Sequence, residues 1–192
     1  IKRRRGGFCY ELNGLFSSLL RQLGFQVERL SANVGRDDGT FSADFDHMTL
    51  LVTLNERWLV DVGFGETFLQ PLRLDSTDVN VQDNGEYQLK PEGDGFIMYE
   101  NRPGKDWAPG LRFTTQPYEY ANFVDRCHFQ QYSPDSTFKK GRICSLATLT
   151  GRISLSELKF ITTVFGGGRV ARELADEAEF SAVLKAYFGI IL

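Results

Sequence analysis

The spacing of apolar residues changes period once, at Gly24, and that change limits what the chain can fold into. Before it, Leu12, Leu15, Phe16, Leu19, Leu20 and Leu23 recur at helical spacing. A stripe of this kind predicts an amphipathic helix over residues 9–23. Gly24 stands where a left-handed residue would close it. On a helical wheel Cys9 falls beside Phe16 and Leu20, so the spacing puts it on the buried side at the first turn. Glu11 falls nearly opposite.

After Gly24 the signals are those of short strands and tight turns. Residues 25–34 read as a strand and Arg36-Asp37-Asp38-Gly39 as a loop. Residues 47–54 and 58–62 read as a hairpin around Asn55-Glu56-Arg57. Further strands fit 87–90, 96–99 and 111–114, between Gly-, Pro- and Asp-rich turns. Many short strands in series predict an antiparallel barrel or a strongly curved sheet. Pro117 is placed to open a helix to about Tyr132, stopped by Ser133-Pro134-Asp135. Apolar strands at 143–149 and 158–164, joined through Thr150-Gly151-Arg152, come next. A final helix is expected over 176–188, with acids in its first turn and Gly189 after it. Three regions are therefore expected: 1–24, carrying the helix; 25–135, the barrel; and 136–192, an α/β segment.

Composition narrows the function. Net charge is −3 with no long run of one sign, so no nucleic-acid surface is implied. The apolar runs fall far short of the ~20 residues that span a bilayer, so no membrane role is expected. Cys9, Cys127 and Cys144 are odd in number and widely spaced, which argues against a disulfide framework and for a reducing cytoplasm. The chain begins at Ile1 rather than Met, and Lys2-Arg3-Arg4-Arg5 runs almost directly into its most informative stretch. It reads as a piece of a longer, N-terminally incomplete protein.

Cys9 is the candidate nucleophile. It sits at an expected helix N-terminus, where free N–H groups and the helix dipole favour a thiolate. Gly6-Gly7 before it let backbone approach a substrate. A cysteine nucleophile needs a base, and the base needs an orienting group. The chain has two histidines. His47 opens an apolar strand and Asp61 lies on the next. With a three-residue loop their parities match, so both face one side, though not directly opposite. The residues alone leave His47 open as a satisfied core histidine and Asp61 as an acid pairing with turn backbone. Cys127 and His128 are adjacent on a helix, about 100° apart, and with Cys144 make no zinc spacing; no metal site is expected. Gly166-Gly167-Gly168-Arg169 lacks the Lys-Ser/Thr ending of a phosphate loop and reads as a connection.

Arg5-Gly6-Gly7-Phe8-Cys9-Tyr10-Glu11-Leu12-Asn13 resembles the nucleophile motif of the arylamine N-acetyltransferases. His47 with Leu50-Leu51-Val52 resembles the family's histidine strand. Trp58-Leu59-Val60-Asp61-Val62-Gly63-Phe64-Gly65 resembles its aspartate motif, and order and spacing agree. Ser145-Leu146-Ala147-Thr148 and Thr150-Gly151-Arg152-Ile153 are compatible with its third domain. The resemblance implies an α+β fold: a cysteine-protease-like nucleophile helix, an antiparallel β-barrel and a C-terminal α/β lid. It implies further helices before the nucleophile helix. It also implies acetyl transfer from acetyl-coenzyme A, a substrate rather than a permanently bound cofactor, to small aromatic amines or hydrazines.

Cys9, His47 and Asp61 would be catalytic, and the thiolate of Cys9 would pair with an imidazolium at His47. Asp46, Phe64 and Gly65 would lie near coenzyme A. A cysteine hydrolase or transglutaminase-like enzyme would use the same three groups in the same order. It would differ in its acceptor, water or a peptide amine.

Overall fold

The computed structural model describes residues 5–191. They form two compact units. One is Gly7–Cys127; the other holds residues 128–191 with the short segment 5–6.

The first unit is an eight-stranded antiparallel sheet curled into a nearly closed barrel, with a helix on its outer face. Helix α1 is Cys9–Gln22. The strands are β1 (Gln26–Val34), β2 (His47–Thr53), β3 (Arg57–Val60), β4 (Leu72–Arg73), β5 (Asn80–Gln82), β6 (Gly85–Glu92), β7 (Gly95–Asn101) and β8 (Ala108–Pro117), in the spatial order β4-β3-β2-β1-β8-β7-β6-β5. Leu30, Leu51, Leu59, Met98 and Leu111 fill the interior. Burying side chains of this size is worth about 1.5–3 kcal/mol each.

Strand β2 is covered on both faces, by that interior and by α1. Met48 packs under Tyr10, while Leu50 and Val52 pack under Phe16 and Leu20. Its first six residues are all buried, which is why it reads as an almost unbroken apolar run.

Helix α1 does not bury the stripe that its spacing predicts. The residues against the sheet are Tyr10, Asn13, Gly14 and Ser17. Phe16 and Leu20 are half-buried, whereas Leu15, Leu19 and Leu23 face outward at 48%, 49% and 65% exposure. The buried face consists mostly of small or polar residues because α1 sits close to the strands. A methyl group on Gly14 would lie 2.6 Å from the Tyr120 ring. Cys9 is half-buried at the start of the helix.

Two other expectations are corrected. The β2–β3 loop is Leu54–Glu56, one residue earlier than predicted, and Arg57 pairs with Thr53. Pro117 ends β8 rather than opening a helix. It lies opposite Leu30, and Tyr118 donates its N–H to the Arg29 carbonyl, which extends the pairing. A 3-10 turn at Tyr120–Phe123 then leads into α2 (Val124–Tyr132).

The second unit begins within α2. After the short α3 (Thr137–Lys140) it has a four-stranded antiparallel sheet of β9 (Ile143–Thr148), β10 (Gly151–Ser156), β11 (Lys159–Val164) and β12 (Gly168–Glu173), in the order β12-β11-β10-β9. Helix α4 (Glu177–Phe188) covers one face with Phe180, Val183 and Leu184 against Leu155 and Leu174. Asp176 caps it by accepting the Glu179 N–H at 2.9 Å, and Gly189 closes it at φ 67°. β10 and β12 are strands that composition hides. Gly151 reads as a turn residue, but it starts β10, where a Cβ would stand 1.9 Å from the Thr163 carbonyl oxygen.

Candidate active site

The hairpin register brings His47 to Asp61. Leu50 lies opposite Val60, so continuing the ladder would set Asp61 across from Thr49, two residues from His47. Diagonal neighbours on one face lie about 7–8 Å apart at the backbone, within reach of paired long side chains. β3 ends at Val60, and beyond it the chain turns so that the carboxylate swings inward. His47 Nε2 and Asp61 Oδ2 are 2.6 Å apart, with side chains 4% and 0% exposed.

Asp61 is held on its other oxygen as well. Oδ1 accepts N–H groups from Gly63 at 2.8 Å and Phe64 at 3.0 Å, and the Asn13 side-chain amide at 2.9 Å. Asn13 also donates to the Met48 carbonyl at 2.6 Å and accepts the Val62 N–H at 2.9 Å. This buried asparagine fastens α1 to β2 and to the turn after β3. It belongs to the motif, but its role is not legible from the motif. The readable signal is its position: four residues after Cys9 in a helix, a poor helix former on the face that carries Cys9.

Cys9 completes the array. It lies close enough to His47 to help hold a proton on the imidazole, and with Nε2 engaged by Asp61, Nδ1 is the ring nitrogen left to face the thiol. Gly63 passes so close that a Cβ would be 2.7 Å from the Cys9 Cα. Phe64 sets its ring edge-on to His47, with centroids 4.9 Å apart.

The electrostatics follow from burial and pairing. Burial alone would push the His47 imidazole down, but the Asp61 carboxylate and Cys9 outweigh it and raise the pKa to about 10. Burial would raise Asp61, but His47 and the N–H donors hold it below the ordinary carboxylate range. The two shifts agree: at neutral pH the arrangement favours imidazolium beside carboxylate.

Asp46 precedes His47. Its Oδ1 takes Arg126 Nε at 2.7 Å and Nη2 at 2.6 Å. Gly65 follows Phe64 in a left-handed conformation, φ 88°. A groove of about 460 Å³ elsewhere on this unit is lined by Ser31, Asn33, Asp44, Phe45, Arg112 and Tyr118 among others, and by none of Cys9, His47 and Asp61. Among the described residues no cluster of three or more His, Cys, Asp or Glu could hold a metal ion, and no helix is long and apolar enough to cross a membrane.

A thiol at a helix N-terminus, an imidazole on a buried strand and a carboxylate behind it form a set that can carry acyl groups through a thioester. Comparison with known proteins is more specific. A family model described as N-acetyltransferase matches residues 1–192. The arylamine N-acetyltransferase of Escherichia coli K12 is 33% identical over 190 residues, covering 97% of this chain and 67% of that protein. The structure of the Mycobacterium marinum arylamine N-acetyltransferase in complex with CoA superposes with a TM-score of 0.89 at 31% identity, covering 99% of this chain and 72% of that one. A Bacillus cereus arylamine N-acetyltransferase, described as having a unique Cys-His-Glu catalytic triad, gives 0.87 at 25% identity, covering 99% of this chain and 76% of that one. The chain belongs to the arylamine N-acetyltransferase family, whose members are acyltransferases.

Proposed function

We propose that this chain carries the centre of an acetyl-coenzyme A:arylamine N-acetyltransferase that works by a ping-pong mechanism through acetyl-Cys9. The observation that carries the reading is the buried His47–Asp61 pair, Nε2 2.6 Å from Oδ2, with Cys9 at the start of α1 within electrostatic reach of the imidazole. The Cys9 thiolate attacks the thioester carbonyl of acetyl-coenzyme A. The carbon–sulfur bond to coenzyme A breaks, and the coenzyme leaves as its thiol with the proton supplied by His47. Acetylation removes the thiolate that helps hold the proton on His47, so the neutral imidazole becomes available as a base. The amine nitrogen then attacks acetyl-Cys9, His47 takes its proton, and the Cys9 thiolate is released. Asp61 fixes the imidazole orientation throughout.

An arylamine is mostly uncharged at neutral pH, so its lone pair is free to attack. The coenzyme A-bound relative supports acetyl-coenzyme A as the donor. Phe64, edge-on to His47, and Gly65 beside it are proposed to border the bound coenzyme. None of Cys9, Cys127 and Cys144 is joined in a disulfide, which supports work in a reducing cytoplasm.

Intact-mass measurement after brief exposure of the full-length protein to acetyl-coenzyme A tests the proposal. One acetyl group should appear on the wild type, be absent from Cys9→Ala and discharge on addition of an arylamine. Discharge to water at the same rate without amine would instead identify a hydrolase. Intersecting rather than parallel double-reciprocal plots would remove the ping-pong scheme.

A further inference from the structure

The backbone that presents His47 is under unusual constraint. Phe45 adopts φ 59°, a left-handed conformation uncommon for a residue with a Cβ. Five side chains hold it and its neighbour. The Ser31 hydroxyl accepts the Phe45 N–H at 2.8 Å. The Tyr10 hydroxyl reaches the carbonyls of both Phe45 and Asp46, at 3.0 and 3.1 Å. The Phe45 ring packs edge-on against Tyr118 and Phe123, with centroids at 4.9 and 5.3 Å. The Arg126 guanidinium grips Asp46 Oδ1 through two nitrogens.

Tyr10 follows Cys9 in sequence, and Asp46 precedes His47. The hydroxyl therefore ties the residue next to the nucleophile to the residue next to the base. Arg126, on α2, draws on the same point from outside, and Tyr120 from the preceding turn donates its hydroxyl to the Tyr10 carbonyl at 3.2 Å. The Tyr10 phenol is buried and its pKa is raised, by desolvation first and then by Cys9 and Asp46, so it stays a hydrogen-bond donor.

We infer that Tyr10, Asp46 and Arg126 are positioning residues that set the His47 imidazole against Cys9, and that Asp46 acts through Arg126 rather than by touching coenzyme A. This rests on the reading of Cys9 as nucleophile and His47 as its base. Removing either side of the Asp46–Arg126 pair frees the left-handed segment, and the imidazole loses its aim at the thiol. Displacement of a reacting group by about 1 Å costs on the order of a hundredfold in rate.

The test compares wild type, Asp46→Asn, Arg126→Gln, the double variant, Arg126→Lys and Tyr10→Phe in the full-length protein. Two rates are read: alkylation of Cys9 by iodoacetamide, which needs no coenzyme A, and single-turnover acetylation across acetyl-coenzyme A concentration. Asp46→Asn and Arg126→Gln are each expected to slow both rates by about tenfold to a hundredfold. Half-saturation by acetyl-coenzyme A should stay within about twofold, the double variant should be no slower than either single one, and Arg126→Lys should recover most of the loss. Tyr10→Phe should show the same pattern more weakly.

Normal alkylation with a raised half-saturation in Asp46→Asn would overturn the inference and make Asp46 a coenzyme A contact. Lowered thermal stability with unchanged Cys9 reactivity would overturn it as well. If Arg126→Gln does not fold, Asp46→Asn and Tyr10→Phe decide by the same readings. A wild-type Cys9 that alkylates no faster than Cys127 or Cys144 would sink the nucleophile reading, and this inference with it. A fast wild type with equally fast variants would sink this inference alone.

Discussion

Strands β2 and β12 are both six or seven residues long and both sit in antiparallel sheets, yet they live in opposite surroundings. In β2 the first six residues are buried, whereas all six of β12 are exposed. A polar group on β12 answers to water, and its ion pairs, Arg172 with Glu179 and Glu173 with Lys159, are exposed ones that contribute little. On β2 a polar group must find a partner in the protein or carry the cost of desolvation. His47 finds Asp61, and Thr49 donates to the Val60 carbonyl at 3.3 Å. Burial thus converts a histidine from a solvated side chain into one fixed by its partner. The difference between the two strands is one of dielectric and packing rather than of backbone geometry.

The largest effect expected from this contrast is at Asp61. Asp61→Asn keeps the shape but removes the charge that holds the imidazolium and its orientation. It should lower acetyl transfer on the order of 10³–10⁴-fold in steady-state assay, and a loss of tenfold or less would show that His47 needs no carboxylate. Gly63→Ala comes next. Its methyl would stand 2.7 Å from the Cys9 Cα and 2.9 Å from the Asn13 amide, so turnover should fall by about tenfold to a hundredfold. Retained activity would mean that the turn after β3 yields easily.

Truncation compares the strands directly. Leu50→Ala in β2 should cost about 2–5 kcal/mol in denaturant unfolding, whereas Val170→Ala in β12 should change stability by no more than about 0.5 kcal/mol. Equal losses would break the comparison.

The same buried pair gives a pH dependence. His47 is raised from 6.5 to about 10, so the folded state binds its proton more tightly than the unfolded state does. That contribution is complete below the unfolded value and disappears as pH rises through the folded one. Asp61, lowered from 3.8, contributes above its unfolded value and loses that contribution in acid. Between pH 6.5 and 10 the wild type should therefore lose stability relative to His47→Gln. Parallel curves would show that the pair is uncharged.

What could be read from the sequence follows the same division. Strands β1–β3 and β6–β8 carry alternation or dense apolar runs, and α4 carries its caps at Asp176 and Gly189, so these elements are legible, whereas β4 and β5, two and three residues long, are too short to show a period. β10 and β12 are not. Gly151 satisfies a steric demand from Thr163 that only pairing reveals, and β12 shows no face because neither side is covered. The α1 wheel misleads for a related reason: helical spacing locates the apolar stripe, while contact with the sheet is made by Tyr10, Asn13, Gly14 and Ser17. At the site, the types and order of Cys9, His47 and Asp61 are readable. Asn13's fastening and the Asp46–Arg126 pair join residues 35 to 80 positions apart, and no local pattern announces them.

The close seat of α1 also sets how the protein can be engineered. A helix advances about 5.4 Å per turn, and Cys9 stands at the very start of one, so a small axial slip would carry the thiol out of reach of His47. Gly14 meets Tyr120, Gly63 meets Cys9, and Asn13 bolts the helix between them. These positions behave like the shims of a machined joint. Substitution of Gly14 by alanine, the usual route to a more stable helix, is expected to trade thermal resistance against alignment. Campaigns for robustness should leave this seam untouched and work instead on the exposed strands of the second sheet.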